Sequence, residues 1–418
     1  MRATPTWRFV RLMERVALLI ALLAVAGCSG SAPSLTPGSA ATSASLSPAP
    51  TQRATLAPTP TLVPTPAPTF VTTGKMHDAR YNATATLLAD GRVLITGGED
   101  STGPDDGILA SAEIYDPTTG EFSLTGSMHA ARLRQAAALL PGGRVLIVGG
   151  FGCSDPSWCM TSGAADLDTA EIYDPATGKF TLVKMTGSVD YSVTVTLADG
   201  RVLVLGGHMA NGLAQFFDPI SGKFSSGAAI DLADNVTATL LPGGKVFVTG
   251  ASGNGYGAEV YDTSAATVTD VPLTLPASAN NSSDEIAVES GISQALLLQN
   301  GRVLLYGGGF LDLFDPATGT YAPGGQVPAG QWLPTATLLA NGQVLFEGGQ
   351  LINIGVEAGP PTTVSSIYNP ATGLRPLSPP FSGPPEQSAT LLQNGDVLIA
   401  GGVDSDGNPL SSAELFVP

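Results

Sequence analysis

Carboxylates are the most numerous side chains in this sequence that could do chemistry. Those in stretches typical of loops are Glu99, Asp100, Asp105, Asp106, Asp155, Asp166, Asp168, Asp284, Glu285, Asp404 and Asp406. Carboxylate oxygens are calcium ligands, but loop acids are more often simply solvated. The segment 404–408 (DSDGN) begins like a calcium loop, yet Pro409 stands where an EF-hand needs glycine. The sequence therefore favours solvated acids and predicts no cofactor, with calcium as the alternative.

Histidine is too scarce and too regularly placed to indicate a metal centre. The chain has three, His77, His129 and His208, and the first two occupy the same place in a repeated Met-His-x-x-Arg phrase. An active site needs a given catalytic side chain once, so side chains that recur in successive repeats indicate a structural role. The same reasoning covers two further recurring sets, Glu113, Glu171, Glu259 and Glu414, and Arg92, Arg144, Arg201, Lys245 and Arg302. We expect these acids to bond neighbouring repeats and these bases to lie on turns.

Two cysteines indicate a disulfide beside an aromatic residue. Cys153 and Cys159 are separated by five residues that include the turn pair Asp155-Pro156. Paired thiols close in an oxidising compartment, so we predict a Cys153–Cys159 bridge. The bridge would hold Trp158 in a fixed pose, which makes Trp158 a candidate for contact with a sugar or a peptide. The alternative, a loop staple with Trp158 covering apolar surface, is slightly favoured.

The N-terminus predicts export and lipidation. Four arginines precede an apolar stretch over residues 16–26, which is too short to span a bilayer comfortably. It ends in Val25-Ala26-Gly27-Cys28, which resembles the bacterial lipobox. The resemblance implies a signal peptide over residues 1–27 and a Cys28 that carries diacylglyceryl and palmitate chains. The protein would then be anchored to the cell membrane, outside the cytoplasm.

Composition defines a linker and excludes one class of partner. Residues 28–69 comprise Cys28 and a stretch rich in Pro, Thr, Ala and Ser with a single charge, so they predict a disordered stalk. The chain of 418 residues carries 18 Lys+Arg against 35 Asp+Glu, a net charge of −17. Such a chain would not neutralise phosphates, and nucleic-acid binding is excluded.

The rest of the chain repeats one unit seven times. A small turn pair recurs, as in Asp90-Gly91 and Gly142-Gly143, followed by an apolar run and usually by a Gly-Gly doublet. A second turn follows, beginning with Asp116, Asp174, Asp218, Asp315 or Asn369. Small pairs between apolar runs predict type I′ hairpins, and the apolar runs predict strands buried on both faces. Each repeat is therefore predicted to be a four-stranded antiparallel meander that packs against its copies.

These motifs carry a family resemblance. The Gly-Gly doublet, the downstream Tyr-Asp pair and the Met-x-x-x-Arg phrase resemble the kelch repeat, in particular bacterial propellers related to the central domain of galactose oxidase. Phe122, Phe180 and Phe224 stand where kelch repeats usually have Trp. The resemblance implies an all-β fold, a seven-bladed β-propeller over residues 70–418, with a pair of β-sandwiches as the alternative. The last repeat lacks an outer strand, and we expect residues 70–76 to supply it.

The resemblance also raises copper-radical oxidation, which these residues do not fit. That chemistry needs two His ligands, one directly after a Tyr ligand, and a Tyr crosslinked to Cys, whereas no histidine here follows a tyrosine. We therefore expect a monomeric, non-catalytic module that binds a carbohydrate or protein on the face of the variable loops. The alternative is a carbohydrate-active enzyme of the same superfamily without the copper ligands. A single cluster of inward-facing, non-repeated polar residues with shifted pKa values would favour the enzyme.

The anchor can be tested at Cys28. The Cys28→Ala variant should lose the acyl chains and be poorly processed, because the acylated atom is the cysteine sulfur. Metabolic labelling with a fatty acid measures this directly. Equal labelling of the variant and the parent protein would show that the lipobox interpretation is wrong.

Overall fold

The computed structural model describes residues 67–100, 107–155, 159, 164–206, 212–232, 234–252, 255–273, 294–307, 310–326, 334–348, 365–377 and 385–418. The predicted signal peptide, Cys28, most of the linker, Trp158, His208 and the acids Asp105, Asp106, Asp284 and Glu285 lie outside these ranges. Contacts divide the chain into Met1–Pro64, which is not described, and Thr65–Pro418. In the described ranges every regular element is a β-strand, and no helix there is long and apolar enough to cross a membrane.

The strands are short and follow one another closely along the chain. In order they are β1 (Thr69–Thr72), β2 (Thr84–Leu87), β3 (Val93–Thr96), β4 (Glu99–Asp100), β5 (Gly107–Ile108), β6 (Ala112–Asp116), β7 (Glu121–Leu124), β8 (Ala131–Leu133), β9 (Ala136–Leu139), β10 (Val145–Val148), β11 (Phe151–Cys153), β12 (Ala165–Asp166), β13 (Thr169–Asp174), β14 (Lys179–Lys184), β15 (Val193–Thr196), β16 (Val202–Leu205), β17 (Ala214–Asp218), β18 (Lys223–Ser226), β19 (Asp234–Leu240), β20 (Lys245–Ser252), β21 (Gly255–Asp262), β22 (Thr267–Val271), β23 (Gln294–Leu297), β24 (Val303–Gly307), β25 (Phe310–Asp315), β26 (Thr320–Gln326), β27 (Thr335–Leu338), β28 (Val344–Glu347), β29 (Ser366–Asn369), β30 (Gly373–Pro376), β31 (Ser388–Leu391), β32 (Val397–Ala400) and β33 (Ala413–Val417).

Seven four-stranded antiparallel sheets account for most of these strands. Numbered along the chain, sheets 1 to 7 are β2-β3-β6-β7, β9-β10-β13-β14, β15-β16-β17-β18, β19-β20-β21-β22, β23-β24-β25-β26, β27-β28-β29-β30 and β31-β32-β33-β1. The first strand of each sheet contacts the first strand of the next, and β31 of sheet 7 contacts β2 of sheet 1. The remaining strands form a two-stranded sheet, β4-β5, and a three-stranded sheet, β12-β11-β8. The molecule is therefore an all-β, propeller-like structure.

The core lies between neighbouring sheets. In the second strand of sheet 1, Val93 and Ile95 pack with Leu398 of sheet 7, whereas Leu94 packs with Val145 of sheet 2. Each pair of neighbouring sheets shares one such cluster. A fully buried aliphatic side chain contributes about 1.5–3 kcal/mol, so these clusters supply the main stabilisation. The predicted burial of both faces is confirmed.

The first turn of each repeat differs from the predicted type I′ hairpin. In sheet 1 the amide of Gly91 donates to the carbonyl of Leu88, and Leu88 and Arg92 close a three-residue loop. Gly91 has φ +91°, but Asp90 does not have positive φ. The turn is thus a type I turn followed by a left-handed glycine. The type I′ prediction is therefore wrong, and in this turn the Asp90 carboxylate also accepts from the Arg92 amide at 3.1 Å.

The second turn follows its sequence closely. The Asp116 carboxylate accepts from the Thr118 amide at 2.9 Å, and the Asp116 carbonyl accepts from the Gly120 amide at 2.8 Å. Gly120 takes φ +73°, the left-handed conformation in which a side chain would be strained. The prediction that the acid caps this turn is confirmed.

The N-terminal strand lies at the outer edge of sheet 7. β1 pairs antiparallel with β33 in a register that sets Phe70 opposite Phe416, with ring centroids 5.2 Å apart. Past β1, the Gly74 amide donates to the Gly120 carbonyl of sheet 1 at 2.8 Å. Met76 is buried in the cluster shared by sheets 1 and 7. Residues 69–76 therefore join the last sheet of the chain to the first.

Deleting residues 70–76 should destabilise the fold. The deletion removes the hydrogen bonds of β1 and the buried side chain of Met76, so we expect the free energy of unfolding to fall by about 3 kcal/mol or more. Deleting residues 29–60 is the matched control and should leave the melting temperature nearly unchanged. Equal effects of the two deletions in thermal melts would contradict this role of the N-terminal strand.

Candidate functional site

One position of the third strand carries a polar residue in all seven sheets. It lies opposite the third residue of the second strand, or the fourth in sheet 4, where that strand begins one residue earlier. Its occupants are Glu113, Glu171, Gln215, Glu259, Asp312, Ser366 and Glu414. We call it the third-strand polar position. Because the second strands are buried on both faces, this position places polar groups near the inter-sheet cores. Its side chains must therefore find partners nearby.

In sheet 1 the partner of this position is a buried arginine. Glu113 accepts from Arg80 Nη2 at 2.9 Å and from the His77 amide at 2.8 Å. The Arg80 side chain is 1 % exposed, and its Nη1 donates to the Gly97 carbonyl at 2.7 Å. Burial raises the pKa of Glu113, but the amides of His77 and Asp78, the His77 ring and the Arg80 charge together lower it below the ordinary value. The carboxylate thus holds the segment that leads into the sheet.

Sheet 2 has the same arrangement of a glutamate, a buried arginine and a histidine. Glu171 accepts from Arg132 Nη2 at 2.9 Å and from the amides of His129 and Ala130. The histidines share the same role, since His77 Nδ1 and His129 Nδ1 lie 3.0 and 2.9 Å from their glutamates. Glu113, Glu171 and these two histidines thus bond within the fold, but each acid bonds the segment entering its own sheet, so the expectation that these two acids bond neighbouring repeats is wrong. The bases at the turns pair locally, as Arg92 does with Asp90.

Beyond sheet 2 the third-strand polar position loses its arginine. Gln215 of sheet 3 accepts from the Thr186 amide at 2.8 Å and donates to the Gly187 carbonyl. Asp312 of sheet 5 is 3 % exposed, and burial raises its pKa to about 6. Nearby, burial and then the charge of Asp312 raise the pKa of Tyr321 to about 12. The position thus changes from a salt bridge to a neutral amide to a carboxyl that burial pushes toward its neutral form.

A separate polar pocket lies where the first strands of sheets 1, 2, 3 and 7 begin. Asn82, Arg134, Tyr191 and Glu386 stand at equivalent points before β2, β9, β15 and β31 and line this strand-entry pocket, which has a volume of about 290 Å³. All four have positive φ, between 50° and 60°. Such backbone costs about 1–3 kcal/mol at a residue other than glycine and is concentrated at functional sites. Among the described residues Asn235 and Ala266 also have positive φ, so this backbone conformation is not confined to the pocket, but four of its six occurrences line it.

Arg134 organises one wall of the strand-entry pocket. Its Nη2 donates to Asp190 at 2.7 Å, and its guanidinium carbon lies 4.3 Å from the Tyr191 ring centroid and 5.2 Å from that of Phe151. The Asp190 carboxylate is almost fully buried. Tyr191 is 48 % exposed, and its partial burial raises its pKa, so the phenol stays neutral. The result is an aromatic face held in place by a cation on one side.

The opposite wall carries an acid with a raised pKa. Burial, followed by the charge of Glu99, raises the pKa of Glu386, and a hydrogen bond from Asn82 Nδ2 at 3.1 Å opposes the shift. This is the non-repeated polar cluster that the sequence analysis set as its criterion for an active site. Sequence reasoning missed these residues because their types differ from repeat to repeat. A signal exists: Asn82, Arg134 and Tyr191 each follow a repeated methionine, Met76, Met128 or Met185, by six positions.

Several buried polar atoms that line the strand-entry pocket are unpartnered. They are Gln135 Oε1, Ser192 Oγ and both amide atoms of Gln387, none of which has a hydrogen-bond partner among the described residues. Each such atom costs about 1–3 kcal/mol, because it has given up water without replacing its hydrogen bond. Gln135 is held in place by its other amide atom, since Nε2 donates to the Thr96 carbonyl at 2.7 Å. These atoms are donors and acceptors fixed in place with nothing of the protein to bind.

The predicted disulfide is present. Cys153 and Cys159 are bonded, with Cα atoms 5.3 Å apart, and Cys153 ends β11. β11 also contains Phe151, the second ring against Arg134, so the strand that carries Cys153 contacts one residue of the strand-entry pocket. Trp158, the residue predicted to contact a ligand, lies outside the described residues.

In the acidic loop of residues 404–408, the Asp404 carboxylate accepts hydrogen bonds from the loop itself. Asp404 Oδ1 accepts from the amides of Asp406 and Asn408 at 2.9 Å, and Asn408 Nδ2 donates to both oxygens of Asp404. The Asn408 side chain first, and then these amides, lower the pKa of Asp404. The loop is therefore closed by the acid that a calcium ion would need.

Comparison with known proteins identifies the fold. The chain resembles a fungal alcohol oxidase of the AA5 family, solved in complex with copper, with a TM-score of 0.57 and 14 % identity over 84 % of this chain and 76 % of that chain. No family model and no curated protein matches the sequence. At this identity the likeness shows the fold alone, an all-β fold shared with that alcohol oxidase.

The copper of that relative does not fit the residues found here. No histidine or cysteine lines the strand-entry pocket in the part of the chain that the structure describes. His77 and His129 are tied to Glu113 and Glu171 of different sheets. A copper–tyrosyl centre needs imidazole ligands, and the pocket offers a tyrosine, a carboxyl, amides and a guanidinium instead.

The raised pKa of Asp312 predicts a pH effect on stability. The folded carboxyl, with a pKa of about 6 against 3.8 in the unfolded chain, binds its proton more tightly. Its contribution is therefore complete below pH 3.8 and is lost as the pH rises through 6. The Asp312→Asn variant should gain in melting temperature relative to the parent protein as the pH rises from 4 to 6.5.

Asp404→Asn is the control, because the titration of Asp404 lies below this range. The pKa of Asp404 is lowered, so its contribution to stability is present above pH 3.8 and is lost as the pH falls below that value. Between pH 4 and 6.5 the melting temperature of the asparagine variant should therefore differ from that of the parent protein by a nearly constant amount. Melting temperatures of the three proteins across this range decide the matter. A difference between Asp312→Asn and the parent that stays constant with pH would contradict the raised pKa.

Proposed function

We propose that the seven sheets are the blades of a closed, seven-bladed propeller of kelch type. The cyclic contacts of the first strands and the hydrophobic cluster between each neighbouring pair of sheets support closure. The pairing of β1 with β33 supports it at the chain ends, because the outer strand of the last sheet comes from the first segment of the fold. In such a ring the strand-entry pocket lies near the axis, where the first strands of four consecutive blades begin.

We also propose that the protein is held at a membrane through Cys28 and works outside the cytoplasm as a monomer. The support is the sequence of residues 1–28, with its basic start, apolar stretch and lipobox-like end. The disulfide Cys153–Cys159 fits this location, because disulfides persist in oxidising compartments. The linker over residues 28–69 would hold the propeller away from the membrane surface.

The function that we propose is the binding of a carbohydrate in the strand-entry pocket, without catalysis. The observation that carries it is the polar lining of the pocket, which includes the side chains of Asn82, Arg134, Gln135, Ser192, Glu386 and Gln387. Amide and hydroxyl groups of this kind pair with sugar hydroxyls, each of which can donate and accept. Tyr191 adds an exposed ring face on which a sugar could stack. A volume of about 290 Å³ suits a ligand of one or two sugar rings rather than a protein surface.

A second candidate function is carbohydrate cleavage, and the raised pKa of Glu386 favours it. A raised pKa makes a carboxyl better suited to act as a general acid. Glycoside hydrolysis uses a pair of carboxyl groups, however, and Glu386 is the only acid that lines the pocket among the described residues. The neutral phenol of Tyr191 is a weak base near pH 7, which leaves the acid without a partner. Binding is therefore the primary proposal.

Tyr191→Ala tests the binding proposal. The full-length protein in detergent is applied to a glycan array, and the affinity for the best-bound oligosaccharide is then measured by calorimetry. The variant should bind that oligosaccharide at least about tenfold more weakly, about 1.4 kcal/mol, because the stacking face is lost. Leu182→Ala is the control, since Leu182 is 51 % exposed against 48 % for Tyr191 and lies on the outer strand of sheet 2.

Two outcomes would contradict the binding proposal. One is an array on which the parent protein binds no glycan, and the other is a Tyr191→Ala variant with unchanged affinity. The cleavage alternative is decided on the same oligosaccharide by mass spectrometry. Cleavage by the parent protein and none by Glu386→Gln would replace the binding function with the enzymatic one.

A further inference from the structure

Sheet 4 contains a charge imbalance at the third-strand polar position. Glu259 occupies this position and is 3 % exposed, as deeply buried as Glu113 and Glu171 in sheets 1 and 2. Its Oε1 accepts from the Asp231 amide at 2.9 Å, the same bond that the His77 amide makes to Glu113. The segments before the two sheets thus approach their glutamates in the same way, and the sites can be compared group by group.

The cation of sheets 1 and 2 is missing from sheet 4. In sheets 1 and 2 the guanidiniums of Arg80 and Arg132 lie 2.9 Å from Glu113 and Glu171. The segment entering sheet 4 has no arginine, and it places Asp231 where sheet 1 has His77. The charges of described residues that act on Glu259 are those of Asp231 and Asp270, and both oppose its ionisation. The buried Glu259 therefore has two negative neighbours, where Glu113 and Glu171 each have a positive one.

The three carboxylates converge on one point. Asp231, Glu259 and Asp270 each offer an oxygen within 4.8 Å of those of the other two. Asp270 reaches the site because it lies directly opposite Glu259 on β22, the place that Leu124 takes opposite Glu113. Asp231 and Asp270 are exposed, so an ion could enter from solvent. Ionised carboxylates this close repel one another unless a cation lies between them.

The buried oxygen of Glu259 provides an independent indication of a ligand. Glu259 Oε2 is inaccessible to solvent and has no hydrogen-bond partner among the described residues, whereas both oxygens of Glu113 and Glu171 are bonded. A neutral amide is tolerated at this position, as Gln215 of sheet 3 shows by pairing with the entering segment. Sheet 5 keeps a carboxyl at this position without an arginine because burial pushes Asp312 toward its neutral form, whereas in sheet 4 two further carboxylates lie beside the buried one, an arrangement that a cation would stabilise.

We propose that Asp231, Glu259 and Asp270 form a calcium site that replaces the buried arginine of sheets 1 and 2. Calcium takes six to eight oxygen ligands in flexible geometry, which three carboxylates and water can supply. Magnesium needs near-ideal octahedral geometry and gives up its water reluctantly, so it should bind more weakly. The site differs from the loop at residues 404–408, whose acid is occupied by that loop's own donors.

Calcium titration of the full-length protein in detergent, after removal of metal with a chelator, tests the site. Sites of this kind bind in the range of about 0.1–1 mM, so 10 mM calcium should raise the melting temperature by about 2 °C or more. Magnesium at 10 mM should raise it by less than half as much. Calorimetry with calcium chloride should report one site.

Three variants locate the ion. Asp270→Asn and Glu259→Gln should each abolish the calcium-dependent rise, and Asp404→Asn should retain it. Asp270 is exposed, so its variant decides the outcome if Glu259→Gln fails to fold. The proposal is overturned if calcium and magnesium act equally on the parent protein, if Asp270→Asn keeps the full rise, or if Asp404→Asn alone removes it. None of these outcomes depends on carbohydrate binding.

Discussion

The fold depends on the burial of both faces of each second strand. A strand such as Val93–Thr96 is apolar at every residue that faces a neighbour, so its sheet needs a partner on each side. Seven sheets meet this need by packing one against the next, and the last against the first. No sheet could be stable alone, since one apolar face would remain in water. This constraint explains why the N-terminal strand β1 pairs with β33 at the edge of sheet 7, although β1 directly precedes sheet 1 along the chain.

The same packing creates the electrostatic problem that sets the sheets apart. A polar group beside the buried second strand must be neutralised, and each sheet does so differently. Arg80 neutralises Glu113 in sheet 1, and Gln215 avoids the charge in sheet 3. In sheet 5 burial drives Asp312 toward its neutral form. In sheet 4 Glu259 lies close to two further acids, an arrangement that a divalent cation would stabilise.

The strand-entry pocket shows where the repeats stop being equivalent. Asn82, Arg134, Tyr191 and Glu386 share left-handed backbone at equivalent positions, but their side chains differ: an amide, a guanidinium, a phenol and a carboxyl. A regular scaffold thus brings four unlike groups to one cavity and holds them by strain that the surrounding packing tolerates. The core repeats because packing demands the same solution in each sheet. The pocket varies because no packing constraint acts on it.

The sequence by itself determined the elements and their period. The turn pairs, the apolar runs and the capping acids such as Asp116 act over a few residues, so four-stranded meanders could be predicted from them. It misjudged the first turn, where the Asp90 carboxylate stabilises a longer loop than the Asp-Gly pair suggested. Only the tertiary structure decided which side chains share a cavity. Asn82 and Glu386 are 304 residues apart and form a hydrogen bond, and Asp231 and Asp270 meet at Glu259, because cyclic packing and strand register act over distances that no local pattern encodes.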